Sequence, residues 1–315
     1  MIKTGLKGNK TVYTFPRTEK KIKNKIKWKE NVVAYTFLGP ALVLLLLFLI
    51  IPAIMSVYYA FTDYYLLTPD TRKFVGLDNF INLFKDPIFL KSLVNTLKFV
   101  VWVIPLQIGA ALGLALLLNK QRKANTFFKV AYFSPVVMSL VVISVLWLYL
   151  LNPNEGIINN VLTYFGVSAQ PFLTSPKQAM FTIVFVSAWQ GAGFQMLIFL
   201  AGLQNIPGDV YEAAQLDGMN KWQRFIYITL PLLKPTSIFI FITTLIGAFK
   251  LLVQPMVMTQ GGPVNSTMTV VYYIYQTGFT DRMVGYASSI ALLFGTIIGL
   301  VTLAQRKLVK EEDDE

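Results

Sequence analysis

Six apolar stretches, at residues 34–61, 97–118, 130–151, 179–203, 236–257 and 285–304, leave this chain few ways to fold. Each comes close to or exceeds the roughly 20 residues that a helix needs to cross the hydrocarbon core of a bilayer. None alternates strictly between apolar and polar, as the strands of a membrane barrel do. A lipid-exposed segment must satisfy its backbone hydrogen bonds internally, so six membrane-spanning helices are predicted and the fold class is an all-α membrane protein. Composition agrees: only 14% of the 315 residues are charged, against about 25% in soluble domains. The expected organisation is a basic segment over 1–33, one transmembrane domain over 34–304, and an acidic tail over 305–315. About thirty polar and basic residues precede the first apolar stretch. A signal peptide places its apolar run closer to the start, so the first helix is expected to remain as an anchor.

The formal charge of +12 is distributed as a membrane protein distributes it, not as a nucleic-acid binder does. With both termini inside, the inner segments carry 20 Lys and Arg and the outer loops 6. The positive-inside rule therefore predicts six spans with both ends cytoplasmic. There is no cysteine and no histidine, which removes thiol chemistry and the usual proton shuttle and metal ligand. The six stretches contain no Asp or Glu, whereas an ion-coupled carrier is expected to bury acidic residues or to show an inverted repeat. The outer loops are too short for a substantial folded domain, so the outer face is expected to receive a partner. The first of them is predicted to hold a short helix around residues 78–84, with Asp86-Pro87 as its stop.

The inner loop between stretches four and five, residues 206–231, is the most informative segment. Its chemistry predicts two short helices. Asp209 is placed to cap the first, with Glu212 completing a box-like start, and Gly218 to end it in the left-handed conformation. The second is predicted from about Lys221, turning Trp222, Phe225 and Ile226 towards an apolar surface, before Pro231 and Pro235 bend the chain into the fifth span. Small residues on one helix face and a carboxylate at its start suit docking into another protein's groove. An amphipathic connector lying on the membrane surface fits the local pattern as well.

The residues of this loop resemble the "EAA" loop of importer permeases: Glu212-Ala213-Ala214, then Asp217-Gly218, Phe225, Ile228 and Leu230-Pro231. A second block, Met258-Thr259-Gln260-Gly261-Gly262-Pro263 with Thr267 and Tyr272 to Phe279, resembles an outer segment of permeases of the maltose and multiple-sugar type. A third, Phe74 to Phe80 leading to Asp86-Pro87 and Asn95-Thr96, resembles their first outer loop. Met219 departs from the small residue usual after Asp-Gly. On these blocks the chain is identified as similar to binding-protein-dependent ATP-binding-cassette importer permeases with a MetI-like, type I transmembrane domain.

That resemblance implies a working assembly. Glu212, Ala213, Ala214, Asp217 and Gly218 become the coupling residues that dock on a cytoplasmic ATPase subunit. Two ATPase subunits, a second and related permease, and an extracytoplasmic solute-binding protein complete the expected complex in a bacterial or archaeal cytoplasmic membrane. Sugar or oligosaccharide is the expected cargo, with glycerol phosphate or another small polar solute as the alternative within the class. The chain itself is not expected to be an enzyme or to hold a cofactor, since ATP and Mg would bind the partner ATPases. No phosphate loop is present, and Gly8-Asn9-Lys10-Thr11 has the wrong spacing for one.

The resemblance also places the substrate path on Trp189, Gln190, Gly191, Phe194, Thr244, Ala248 and Leu251. Gln195 and Lys250 join them from the residues themselves: one is a buried amide beside aromatics, the other an ammonium far into the fifth stretch. Small and aromatic residues also serve plain helix packing. Lys250 either meets hydroxyls or an acidic group of the cargo, or reaches outward or to a companion carboxylate. Gly109-x-x-x-Gly113 and Gly295-x-x-x-Gly299 fit close helix packing. Pro105, Pro135 and Pro255 are candidate kinks.

Overall fold

The computed structural model describes residues 28–119 and 123–313, so most of the basic N-terminal segment and the last two residues of the acidic tail lie outside it. Contacts divide the chain into two compact units, residues 1–53 and 54–315, with the boundary inside the first helix. Helix α1 starts at Trp28 and contributes the apolar span Tyr35–Tyr59. One turn, Leu46–Ile50, is widened to π geometry just before Pro52, which has no N–H to give the ladder. None of residues 35–53 is buried.

The second unit holds all the remaining helices. They begin with the short helix α2 (Asp78–Leu83), α3 (Pro87–Leu118), α4 (Lys123–Val137), α5 (Leu140–Leu150) and α6 (Ile157–Tyr164). Next come α7 (Ala179–Gln204), α8 (Gly208–Leu216), α9 (Lys221–Leu232), α10 (Lys234–Phe249), α11 (Val270–Tyr275) and α12 (Val284–Asp313). Among the described residues the only β pairing is one isolated bridge, Thr62 with Phe74. Among the described residues four helices are long and apolar enough to cross a membrane, or up to six if each of two bent pairs is one span. The bent pairs are α4 with α5, turned by 102°, and α9 with α10, turned by 66°.

Three expectations change in detail. Asp86-Pro87 does end the region of α2, but it also starts α3, ten residues before the second apolar stretch. Asp86 accepts from the Ile88 and Phe89 N–H groups at 2.8 and 3.3 Å, and Pro87 supplies the fixed φ of a first helical turn. The third stretch breaks at Met138-Ser139, soon after Pro135, instead of running straight. The fifth ends at Phe249 and resumes as a short π-wide turn, Pro255–Thr259. Pro105, by contrast, sits inside a continuous α3. The acidic tail extends α12 as far as Asp313.

The core lies along α3 and α7, the most extensively packed pair. It forms two clusters. One gathers Phe89, Phe99, Val103, Ile183, Val186, Phe249, Val270 and Ile290. The other gathers Ala111, Ala115, Met196, Phe199, Leu233 and Ile240. Burying side chains of this size contributes about 1.5–3 kcal/mol each in a soluble protein. In lipid the driving term is close packing instead, and small residues allow it. Gly193 shows why: a β-carbon there would overlap the Tyr132 carbonyl oxygen, so α4 can cross α7 only over a glycine. At Gly109, Gly113, Gly295 and Gly299 the space beside the backbone is open, so those two spaced pairs make no close helix contact within this chain.

Candidate functional site

Residues of α3, α7 and α10, with Leu140 of α5 and residues 250–254, line a cavity of about 320 Å³. Eight of the nine residues assigned to the substrate path line it: Gln190, Gly191, Phe194, Gln195, Thr244, Ala248, Lys250 and Leu251. Trp189, the ninth, points away and packs edge-on against Trp147, with ring centroids 5.4 Å apart. Gln107 of α3, Ser187, Gly247 and Gln254 also line the cavity and were not anticipated from sequence. Gln107 could be foreseen only through its neighbour: a β-carbon at Gly191 would overlap its amide, so the glycine makes room for that side chain.

The wall is polar in a particular way. Gln195 is 5% exposed; its Nε2 donates to Thr244 Oγ1, which donates in turn to the Ile240 carbonyl at 2.6 Å. Its Oε1 has no protein partner, nor has Ser187 Oγ. Buried polar atoms in native proteins nearly always find partners, so these two stand out on residues of the cavity wall.

Lys250 sits where the fifth stretch breaks. Its N–H bonds the Gly247 carbonyl at 3.0 Å and closes α10, instead of continuing the ladder. Non-helical backbone within a bilayer is tolerated where protein buries it or where it lines a cavity. Both apply here: the freed Leu251 carbonyl accepts from Thr269 Oγ1 at 2.7 Å, and residues 250–254 line the cavity.

The inner loop folds as two helices. Pro207, not Asp209, occupies the cap position of α8, and no side chain caps that end. Asp209 lies two residues too far in to cap and instead places a carboxylate near the positive end of the helix. Gly218 adopts φ +79° and the helix closes as expected, with Met219 N–H on the Ala214 carbonyl at 3.0 Å and Gly218 N–H on Gln215 at 3.1 Å. Met219, half-buried, contributes its backbone N–H to this closure. Asn220 and Gln223 cap α9 reciprocally. Tyr211 Oη lies 3.0 Å from Thr229 Oγ1 and ties the two helices together. Of the coupling set, Ala214 is buried, while Glu212, Ala213, Asp217 and Gly218 are exposed. Trp222, expected against an apolar surface, is 66% exposed, and Ile226 is 37% exposed.

A third constellation was invisible as a unit in the sequence. Asn95 Nδ2 donates to the Asn265 and Met268 carbonyls at 2.8 and 3.0 Å. Thr96 Oγ1 accepts the Val270 N–H at 3.0 Å, and Lys91 donates to the Val264 carbonyl at 2.6 Å. At the start of the same helix Asp86 Oδ2 accepts from the hydroxyls of Tyr273 and Tyr286. Burial alone would raise the Asp86 pKa. The two tyrosine hydroxyls and the two backbone N–H groups outweigh it and hold the carboxyl below its usual range. Burial, and then the Asp86 carboxylate, push Tyr273 upward. The start of α3 is thereby clasped to the Gly-Gly-Pro segment and to α12.

Comparison with known proteins decides the family. The family described as binding-protein-dependent transport system inner membrane component matches residues 95–311, which include the cavity and the inner loop. The chain belongs to that family. It is 35% identical over 291 residues to a probable ABC transporter permease protein, YurN, of Bacillus subtilis, covering 91% of this chain and 99% of that one. It is 33% identical over 284 residues to the arabinooligosaccharides transport system permease protein AraP of the same organism, covering 89% and 90%. It is 34% identical over 291 residues to the sn-glycerol-3-phosphate permease protein UgpA of Shigella flexneri, covering 90% and 96%. In fold the permease resembles a chain of a bacterial alginate ABC transporter solved with its pentasaccharide-bound periplasmic protein. That match has a TM-score of 0.79 at 23% identity and covers 90% of this chain and 96% of that one. The permease is therefore a multi-pass membrane transport subunit, and an ion-coupled carrier is set aside.

Proposed function

We propose that this permease forms half of the translocation path of an ATP-driven importer for a saccharide. In this reading both termini are cytoplasmic and α8 is the coupling helix. Glu212, Ala213, Ala214, Asp217 and Gly218 meet one of two cytoplasmic ATPase subunits, which bind ATP and Mg and perform the hydrolysis. A related second permease supplies the other half of the path, and a solute-binding protein delivers cargo to the outer face. Nucleotide-driven closure of the ATPases moves the paired coupling helices and switches the cavity between two accesses.

The observation that carries this reading is the cavity itself. Amides of Gln107, Gln190, Gln195 and Gln254 and the hydroxyls of Ser187 and Thr244 converge there beside Phe194, and two of the buried polar atoms lack partners. Hydroxyl-rich cargo supplies both donors and acceptors to such groups, and its C–H faces pack on aromatic rings. The named cargoes of relatives, arabinooligosaccharides and lactose among them, support the same class.

The test is ATPase activity of the co-purified complex in lipid, with its binding protein and a panel of neutral and acidic saccharides. Stimulation by one loaded binding protein is expected. Absence of any co-purifying or stimulated ATPase would overturn the importer reading. Gly247→Leu sharpens the test, because open space lies beside that glycine and it lines the cavity. The variant is expected to fold and assemble but to transport poorly.

A further inference from the structure

Resting on the importer reading, the geometry points to a cargo that carries negative charge, a uronate or phosphate-bearing glycoside, whose anionic group meets Lys250. The cavity wall supplies one ammonium and no carboxylate: among its 18 lining residues Lys250 is the single charged side chain. Among the described residues no hydrogen bond or ion pair engages the Lys250 side chain. An ammonium at membrane depth is costly unless it faces a cavity or a counter-charge, and here the cavity is present while the counter-charge is missing.

Two features of the backbone bear on Lys250. Lys250 stands just past the last residue of α10, at the helix end whose partial negative charge favours a cation. The break that puts it there is fastened by Thr269 on the Leu251 carbonyl. The backbone that carries Lys250 is therefore fastened, while its side chain is exposed and unpaired among the described residues. On the same wall, Gln195 and Ser187, 5% and 8% exposed, hold an Oε1 and an Oγ with no partner among the described residues. A cation on a wall that also carries amides and hydroxyls matches a ligand with one anionic group on a hydroxylated frame. A neutral saccharide would fill the acceptors and leave the ammonium uncompensated. Relatives of similar identity divide on this point: some are named for arabinooligosaccharides and lactose, others for sn-glycerol-3-phosphate and sulfoquinovosyl glycerol. An anionic cargo would put this chain with the second group.

The test uses the complete complex in proteoliposomes with its binding protein and pairs of probes that differ in charge: trigalacturonate with galactotriose, and sn-glycerol 3-phosphate with glycerol. ATP-dependent uptake of the anionic member of at least one pair is expected to exceed that of its neutral partner. A charge-assisted hydrogen bond contributes about 1.5–3 kcal/mol, so Lys250→Met should reduce that uptake by about tenfold or more. Lys250→Arg should keep most of it. Uptake of neutral probes alone would overturn the inference and leave the importer reading standing. Equal losses for both members of a pair, or loss of the companion permease from the Lys250→Met complex, would show a structural role and overturn it too. No ATP-dependent uptake of any probe would overturn the importer reading with it.

Discussion

The inner loop and the outer clasp use polar residues in opposite ways. At the clasp, Asp86, Asn95 and Thr96 direct their side chains inward, to carbonyls, N–H groups and hydroxyls 170 or more residues away in sequence. In the inner loop, backbone bonds and local caps close both helices, while Glu212, Ala213 and Asp217 remain exposed. A region that joins distant helices uses its polar groups internally. If the inner loop receives a partner, as proposed, it does so with a fold closed by backbone and short-range side-chain bonds that leave Glu212, Ala213 and Asp217 exposed. Substitutions at the two places should separate stability from coupling.

Gly193 tests the packing side most severely. Any side chain there meets the Tyr132 carbonyl, and backbone cannot move aside as a flexible side chain can. Gly193→Leu is expected to abolish assembly or to lower thermal stability by more than about 3 kcal/mol, the upper range for overpacking. A well-folded variant with an unchanged melting temperature would show that α4 and α7 do not hold this close approach.

Asp86→Ala should come next, at about 2–4 kcal/mol. Loss of a helix cap costs about 0.5–2 kcal/mol, and hydrogen bonds to a charged group contribute about 1.5–3 kcal/mol. Thermal unfolding of the purified complex measures it, and a loss below about 0.5 kcal/mol would remove the clasp from the account. The carboxyl also predicts a pH effect of known sign. Its pKa is depressed in the folded protein, so its stabilisation is present above the unfolded value of about 3.9 and is lost as pH falls through the folded value. Asp86→Asn should flatten the acid limb of the stability profile between those two values. An unchanged limb would assign the acid sensitivity to other carboxylates.

These differences reflect what a sequence can display. Span positions were legible because hydropathy is a local sum, and α7 lies where its stretch ends. The inner loop was legible because its signals, Gly218 among them, act within a few residues, although the Asn220 to Gln223 box that starts its second helix was not singled out. Asp209 misled, because Pro207 can begin a helix without a side-chain cap and nothing local announces which residue does so. The break at Lys250 was not read from the fifth stretch, because the freed Leu251 carbonyl is taken up by Thr269, which lies outside that stretch. The clasp was hidden for the same reason. Asn95 and Thr96 stood in a resembling block, but their partners are backbone atoms that only the assembled fold brings near.

Glu212→Ala should have the smallest effect on the fold and the most selective effect on function. The side chain is exposed, and among the described residues no hydrogen bond or ion pair engages it. Alanine is also the better helix former. Stability should therefore stay within about 0.5 kcal/mol of the parent, with membrane insertion intact. If α8 docks on an ATPase, the same change removes a charge-assisted contact at that interface, and stimulation of ATP hydrolysis by the loaded binding protein should fall several-fold. Measuring both quantities on one preparation separates the alternatives. A stable protein with lost stimulation fits a docking surface. A stable protein with normal stimulation and transport would remove Glu212 from the coupling and favour a connector lying on the membrane. A destabilised protein would mean that the loop, like the clasp, draws its side chains into the fold, and the contrast between the two regions would fail.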